Sequence, residues 1–193
     1  IPWLLVYSQE EAPAYSPEAR AQWQRSVAAA EFQRNDEEES AAFKDVFLTI
    51  SEGGLLEPEK TDAIVDGILE KQTDASQIVD CVMQVRSVDE YTYHHCVNVS
   101  MLAMMIGRWM RVPEHDLPDL VKAGLLHDVG KSRIPLSILN KPGPLDAREK
   151  AEMKRHAEYG YQILRQAPDV VPEVAVAVLT HHEREDGSGY PLG

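Results

Sequence analysis

The sequence predicts an all-α protein, and three observations predict it. Apolar residues recur at the three- and four-residue spacing of helix faces, alternating strand patterns are nearly absent, and helix-capping residues recur along the chain. The chain has 193 residues, 44% apolar and 26% charged, a composition typical of a globular protein that buries a core without disulfide bonds. The two cysteines, Cys81 and Cys96, are too few for a disulfide scaffold, and such sparse usage favours a reducing compartment.

The N-terminal part carries two predicted helices, one beginning at Ser16-Pro17 and one ending at Gly53-Gly54. In each of them the apolar residues share one face. We therefore expect residues 1–55 to be a helical lead-in and residues 56–193 to be one helical domain. Because the chain begins with Ile1 rather than methionine, we expect it to be a fragment.

The first half of the domain contains capped helices. Asp74 caps a short helix, and the Ser87–Glu90 capping box begins a long helix that ends near Arg111. The next helix is expected from about Glu114 to Val129, and Gly130 is its predicted stop.

The second half of the domain begins with a loop. Three prolines predict the loop over residues 134–144, and an Asp146–Glu149 capping box begins the next helix. Further helices are expected through Ile163 and from Val174 to about Glu183. The residues Asp186 to Pro191 that follow are turn residues.

The charge distribution excludes one class of partner. The net charge is −13, and the first 90 residues carry 7 basic and 19 acidic side chains. Because a protein that binds duplex nucleic acid needs a basic footprint, we do not expect duplex nucleic acid as a partner. The apolar stretches are far shorter than the roughly 20 residues of a membrane span, so we expect no span in this chain.

Histidine placement is the most informative feature of the sequence. His95 shares a helix face with Val99 and Ile106, so we expect its side chain to point inward. A lone histidine there could equally be a core residue with one hydrogen-bond partner. His94 and His115 have no comparable context, and we expect them at the surface, with His94 as a remote alternative for the site.

A histidine and an aspartate, His127 and Asp128, end an apolar helix. Adjacent helical residues diverge by about 100°, so the pair can hold one ion or the carboxylate can bridge two. A purely structural pair is the alternative. Lys131 follows shortly after, and an ammonium beside these groups suits phosphate binding.

Three further histidines lie on apolar helix faces. His156 shares a stripe with Gly160 and Ile163, and His181-His182 closes a stripe that includes Val178. Two adjacent imidazoles at the end of an apolar helix need two partners, which packing alone does not provide. Imidazole and carboxylate ligands suit Fe, Mn, Ni or Zn better than Ca or Mg. The sequence therefore predicts a transition-metal site.

Short motifs around these residues resemble a known family. His127-Asp128 lies in HDVGK (residues 127–131), the pattern of the HD metal-dependent phosphohydrolases. His181-His182-Glu183 followed by DGSGYP (residues 186–191) resembles the HD-GYP variant. Tyr91-Thr92 and LNKPG (residues 139–143) are similar to its connecting motifs.

The resemblance implies an HD-superfamily helical bundle and a phosphodiesterase that hydrolyses the bacterial second messenger cyclic di-GMP by attack of a metal-bridging hydroxide. It implies six metal ligands, namely His95, His127, Asp128, His156, His181 and His182. Asp128 would bridge the ions, and Lys131 would contact the scissile phosphate, so these two residues are the expected catalytic pair. Gly189, Tyr190 and Pro191 would bind substrate beside the site together with Lys131.

Two departures from the family pattern affect these expectations. Family members with three metals have a glutamate where this chain has Tyr91, so we expect two divalent ions, Fe or Mn first and Ni or Zn next. The family's final aspartate ligand lies beyond the GYP loop, and the sequence ends at Gly193. We therefore expect a domain that is incomplete at its C-terminus and a chain that binds metal weakly.

Two alternatives stay open at this point. One is an HD phosphohydrolase that acts on another cyclic nucleotide. The other is a non-catalytic module that senses a cyclic dinucleotide or docks a partner. In each case we expect a protein of the bacterial cytoplasm, with a second copy of the chain or another signalling protein as a possible partner.

Overall fold

The computed structural model describes residues 37–70 and 92–193, and within these ranges every regular element is a helix. The all-α prediction is therefore confirmed. The α-helices are α1 (37–51), α2 (Pro58–Glu70), α3 (Thr92–Trp109), α4 (Leu117–Leu126), α5 (Leu136–Leu139), α6 (Ala147–Lys154), α7 (His156–Leu164) and α8 (Pro172–Thr180), with a 3-10 helix (Val129–Arg133) between α4 and α5.

One apolar core joins these helices. α3 packs along α4, α4 also contacts α2 and α8, and α7 packs against both the 3-10 helix and α8. Completely buried side chains such as Met101, Leu125 and Val178 fill the centre. Phe43 and Ile50 of α1 belong to the same core cluster. The lead-in helix thus packs against the helices that follow it, and the boundary at residue 55 stays a prediction.

Two predicted helix boundaries are confirmed. α1 ends at residue 51, and Gly53 adopts a φ of +91°, a left-handed conformation that glycine accepts without a Cβ penalty. The Asp146 side chain accepts hydrogen bonds from the backbone N–H groups of Arg148 and Glu149, and the Glu149 carboxylate accepts one from the Asp146 N–H. This reciprocal arrangement is the capping box expected at the start of α6.

Other predicted boundaries were wrong. α4 ends at Leu126, and Gly130 lies inside the 3-10 helix, because the chain tightens there to pack against α7. The predicted loop over residues 134–144 contains the short helix α5. α8 ends at Thr180, before Glu183, because the chain turns back and the Tyr190 N–H bonds to a carbonyl oxygen of that turn.

Several predictions concern residues outside the described ranges. They are the helix at Ser16-Pro17, the cap at Asp74, the Ser87–Glu90 capping box, Cys81 and Tyr91. Among the described residues, no helix is both long enough and apolar enough to cross a membrane.

Candidate metal centre

Close packing of α3 on α4 brings the first two candidate ligands together. A Cβ added to Gly124 would lie 2.9 Å from the Cα of Ser100, so only glycine allows the two backbones to approach this closely. His95 lies on α3 before this contact, and His127 follows it as the C-cap residue of α4. Their Nε2 atoms are 3.2 Å apart.

The predicted orientation of His95 was wrong in one respect. The face that it shares with Val99 and Ile106 is the partly exposed side of α3, and Ile106 is 50% exposed. The buried side carries Val97 and Met101 instead. The His95 side chain is 33% exposed, and its Nε2 lies against that of His127 rather than in the apolar core.

A second close contact brings α7 to the 3-10 helix. A Cβ added to Gly130 would overlap the carbonyl oxygen of His156 and the backbone nitrogen of Gly160. Without that Cβ, the two backbones touch, and the His156 Nε2 lies 3.3 Å from an oxygen of Asp128. The glycine of the HDVGK motif is therefore required by packing.

Asp128 lies between two groups of imidazoles. Its side chain is 4% exposed, and its Oδ2 is 3.3 Å from the Nε2 of His127 and 3.9 Å from that of His95. Its Oδ1 faces the other way, 3.3 Å from the Nε2 of His156 and 4.0 Å from that of His181. One carboxylate thus offers one oxygen to each group.

Among the residues that the structure describes, two sets of three have ligand atoms within 4.8 Å of one another and could each hold a metal ion. The sets are His95, His127 and Asp128, and His156, His181 and His182. All six residues that the sequence resemblance singled out as ligands therefore lie in one cluster.

Backbone hydrogen bonds fix which nitrogen of three imidazoles faces the cluster. The Nδ1 atoms of His127, His156 and His181 lie 2.7, 2.7 and 2.8 Å from the carbonyl oxygens of Gly124, Met153 and Val178. A carbonyl oxygen only accepts, so Nδ1 carries the proton and donates. In the neutral ring, Nε2 then presents its lone pair, which is the arrangement of metal-binding histidines.

The orientation of the imidazoles shows whether the residues present fit a cation between them. The Nε2 atoms of His156 and His181 are 3.2 Å apart, and in the neutral rings both present lone pairs toward each other. Two lone pairs at this distance repel unless a positive charge lies between them. The donor set therefore fits a cation that accepts nitrogen ligands, and a divalent transition metal is such a cation.

The protonation states of the cluster agree with this fit. Burial lowers the pKa of His181 to about 4, and burial is also the main cause that lowers the pKa values of His95, His156 and His182. Burial opposes ionisation of Asp128, but the neighbouring His127 and the charge and hydrogen bond of Lys131 outweigh it and hold the Asp128 pKa below its usual range. At neutral pH His95, His156, His181 and His182 are thus neutral and Asp128 is a carboxylate, the forms that bind metals.

Lys131 lies at the edge of this cluster. Its Nζ is 2.6 Å from Asp128 Oδ2, and its side chain is 26% exposed. The lysine therefore places a positive charge beside the oxygen that faces His95 and His127, where an ammonium can also interact with an anion bound at the centre.

The GYP segment folds over the second imidazole group. The Tyr190 ring stacks on His182 with a centroid separation of 4.5 Å and an angle of 24°. A Cβ at Gly189 would lie 2.5 Å from the backbone nitrogen of Arg184, so only glycine fits there. The peptide bond before Pro191 is cis, and Pro191 continues the turn next to Tyr190.

Two carboxylates that the sequence argument did not single out hold this loop. Glu183 accepts hydrogen bonds from the backbone N–H groups of Leu192 and Gly193, at 2.6 and 3.2 Å. Asp186 accepts from the Ser188 N–H at 3.0 Å. For Glu183, the only indication in the sequence was its position directly after the His181-His182 pair.

The two remaining histidines behave differently. His115 is exposed, as expected, with its Nε2 3.4 Å from an Asp116 oxygen. His94 is only partly exposed, because its Nδ1 is hydrogen-bonded at 2.9 Å to the Ser40 hydroxyl of α1. The expectation of a surface residue without context was therefore wrong for His94.

Comparison with known proteins identifies the family. The family model described as HD domain matches residues 92–192, which is more than half of the chain. The chain therefore belongs to the HD domain family, and the family assignment made from the sequence motifs is confirmed. No solved structure shows a significant match.

Curated relatives are named as cyclic dinucleotide phosphodiesterases. The chain is 34% identical over 153 residues to a cyclic di-GMP phosphodiesterase of Pseudomonas aeruginosa, covering 79% of this chain and 37% of the relative. It is 37% identical over 122 residues to 3'3'-cGAMP-specific phosphodiesterase 2 of Vibrio cholerae (63% and 23%). It is 36% identical over 118 residues to a cyclic di-GMP phosphodiesterase of Thermotoga maritima (61% and 32%). The chain thus spans between about a quarter and two fifths of the length of these relatives.

Proposed function

We propose that the protein is a metal-dependent phosphodiesterase of the HD-GYP type that hydrolyses cyclic di-GMP. The observation that carries this proposal is the position of Asp128, whose two oxygens face two separate imidazole groups. A single carboxylate between two nitrogen-rich sets is the arrangement expected for a pair of metal ions in phosphodiester hydrolysis. The names of the curated relatives support a cyclic dinucleotide as the substrate.

The proposal includes two divalent transition-metal ions, Fe or Mn in preference to Ni or Zn. One ion would be held by His95, His127 and Asp128, and the other by Asp128, His156, His181 and His182. A bound pair would lower the pKa of a water molecule and polarise the phosphate oxygens. Tyr91, on which the expectation of two rather than three ions depends, lies outside the described residues.

The residues of the chain would then act around the phosphate. The Nδ1–H bonds to carbonyl oxygens keep the imidazoles oriented during turnover. Lys131 would hold the scissile phosphate, because its ammonium already lies beside the central carboxylate and its side chain is partly exposed. Gly189, Tyr190 and Pro191 would form the adjacent wall against which the substrate lies.

A second substrate has specific support. The relative from Vibrio cholerae named as specific for 3'3'-cGAMP is 37% identical to this chain, which is no lower than the identity to the two cyclic di-GMP phosphodiesterases. A cyclic dinucleotide with one adenine is therefore the competing substrate. The non-catalytic alternative has less support, because all six candidate ligands lie in the cluster.

Turnover of the two nucleotides by the Mn²⁺-loaded protein tests the proposal. Chromatography of the products should show cyclic di-GMP converted to linear dinucleotide or GMP, with conversion stopped by EDTA. Faster conversion of 3'3'-cGAMP would select the competing substrate. Binding of cyclic di-GMP without any product would instead support the sensing module, and the metal content of the same sample excludes a simple loss of ions.

The cellular setting follows from the proposed substrate. A second-messenger phosphodiesterase acts where the messenger is made and read, so we propose the bacterial cytoplasm. Partnership with a second copy of the chain or with another signalling protein stays a prediction from the sequence.

A further inference from the structure

Lys154 is a cation at the rim of the candidate metal centre with no role in the proposed reaction so far. It is the last residue of α6 and lies two residues before His156. Its Nζ is 4.8 Å from the centroid of the Tyr190 ring, and that ring stacks on His182. The lysine is therefore linked to the second imidazole group through one aromatic ring.

No carboxylate of the described residues balances the charge of Lys154, in contrast to the charges of Lys131 and Lys141. Lys131 pairs with Asp128, and Lys141 pairs with Glu149 at 2.5 Å. Within residues 37–70 and 92–193, Lys154 makes no ion pair. The contact of its ammonium in this part of the chain is the cation–π contact with the ring of Tyr190. An exposed ammonium above a neutral phenol keeps its capacity to bind an anion.

The two lysines lie against different groups of the cluster. Lys131 contacts the Asp128 oxygen that faces His95 and His127. Lys154 lies beyond His182, on the side of the other group. A ligand with one phosphate beside Lys131 would need a second anionic group to use the charge of Lys154.

We propose that Lys154 is the cation of a second phosphate subsite, which binds the phosphodiester that is not being cleaved. The proposal rests on the proposed function, since a cyclic dinucleotide carries two phosphodiester groups. Tyr190 orients the lysine through the cation–π contact, and one of its faces is already covered by His182. Lys154 would thus select substrates with two phosphates over simple diesters.

The test compares a substrate with two phosphates and a substrate with one. kcat and KM are measured for cyclic di-GMP and for bis(p-nitrophenyl) phosphate, with wild type, Lys154→Met and Lys154→Arg. The matched control is Lys150→Met, an exposed lysine one turn earlier on the same helix. The Kd of cyclic di-GMP is also measured by calorimetry on metal-depleted protein, so that binding is read without turnover.

For Lys154→Met, we expect KM for cyclic di-GMP to rise about tenfold, the loss expected for one charge-assisted hydrogen bond. The ratio of kcat/KM for cyclic di-GMP to that for the simple diester should fall by the same factor. The Kd on metal-depleted protein should rise in parallel. Lys154→Arg should retain most of the affinity, and Lys150→Met should match wild type.

Other outcomes overturn the proposal. An equal loss with both substrates would mean that Lys154 acts only by supporting Tyr190 and the metal ligands. An unchanged Kd, or a wild-type protein that binds no cyclic di-GMP, would remove the subsite. Failure of the proposed function is separate, because it shows as absence of turnover by wild type whatever the effect of Lys154→Met on the Kd.

Discussion

Replacing Gly130 with alanine is expected to pull the two imidazole groups apart. The added Cβ would overlap the carbonyl oxygen of His156 and the nitrogen of Gly160, which are backbone atoms and cannot rotate away. Restoring an ordinary van der Waals separation requires a shift of more than about 1 Å between the 3-10 helix and α7. Overpacking of this kind costs about 3 kcal/mol, at the upper end of its usual range.

The shift also acts on the site. His156 lies on α7 and Asp128 immediately precedes the 3-10 helix, and their 3.3 Å contact depends on the backbone approach at Gly130. A displacement of about 1 Å exceeds the tolerance for metal–ligand distances, which is about 0.2 Å. We therefore expect the Gly130→Ala variant to bind Mn²⁺ more weakly, by about a hundredfold, a loss otherwise seen on mutation of outer-shell partners.

The assay combines urea unfolding of the metal-free protein with Mn²⁺ titration by calorimetry. Gly67→Ala is the matched control, because its Cβ would meet only the flexible end of Glu39 at 3.2 Å. In the interior of α2, alanine should be neutral or stabilising by up to about 1 kcal/mol. If Gly130→Ala were as stable as wild type and bound Mn²⁺ with the same affinity, the argument that glycine is required at this contact would be refuted.

Three further predictions concern individual side chains. Asp128→Asn should keep the helical circular-dichroism spectrum and lose more than about a hundredfold in turnover and metal content. The control Asp116→Asn should change neither turnover nor metal content. Retained turnover by Asp128→Asn would contradict the bridging position. Lys131→Ala should keep both ions and lose rate, and a metal-free variant would contradict its assignment to the phosphate. Burial lowers the pKa of His181 to about 4, so between about pH 6.5 and 4 the unfolded chain binds more protons than the folded chain. The unfolding free energy of the metal-free protein should therefore fall as the pH drops through that window. His181→Gln should weaken this dependence, to which His95, His156 and His182 contribute with the same sign, and an unchanged pH profile would refute the burial argument.

The sequence predicted which residues form the site better than it predicted how these residues are arranged. His127, Asp128 and the His181-His182 pair lie at helix ends, so their apolar stripes and motifs could be read directly. Which nitrogen of each ring faces inward depends on the carbonyl oxygen three residues earlier and on side-chain rotamers. Periodicity carries no information about rotamers, so the lone pairs facing each other could not be predicted.

The prediction of the buried face was wrong for α3, because packing rather than polarity determines which side of this helix is buried. The stripe of Val99 and Ile106 on α3 is apolar, yet the side that packs on α4 contains Ser100 beside Gly124. Small residues permit the closest backbone approach, and that approach determined which face of α3 became buried. Lys154 and Tyr190 were likewise missed as a pair, because their contact joins α6 to a distant loop.

The two halves of the site are built by two independent close contacts, and Asp128 is what joins them. Gly124 positions α3 and thus the first group, whereas Gly130 positions α7 and thus the second. Asp128 lies between these glycines, at the point where α4 gives way to the 3-10 helix. A straight α-helix through this point would turn Gly130 away from the position that the tighter 3-10 turn gives it against α7. The end of α4 at Leu126, three residues before the predicted end, is therefore the feature that allows one carboxylate to face both groups.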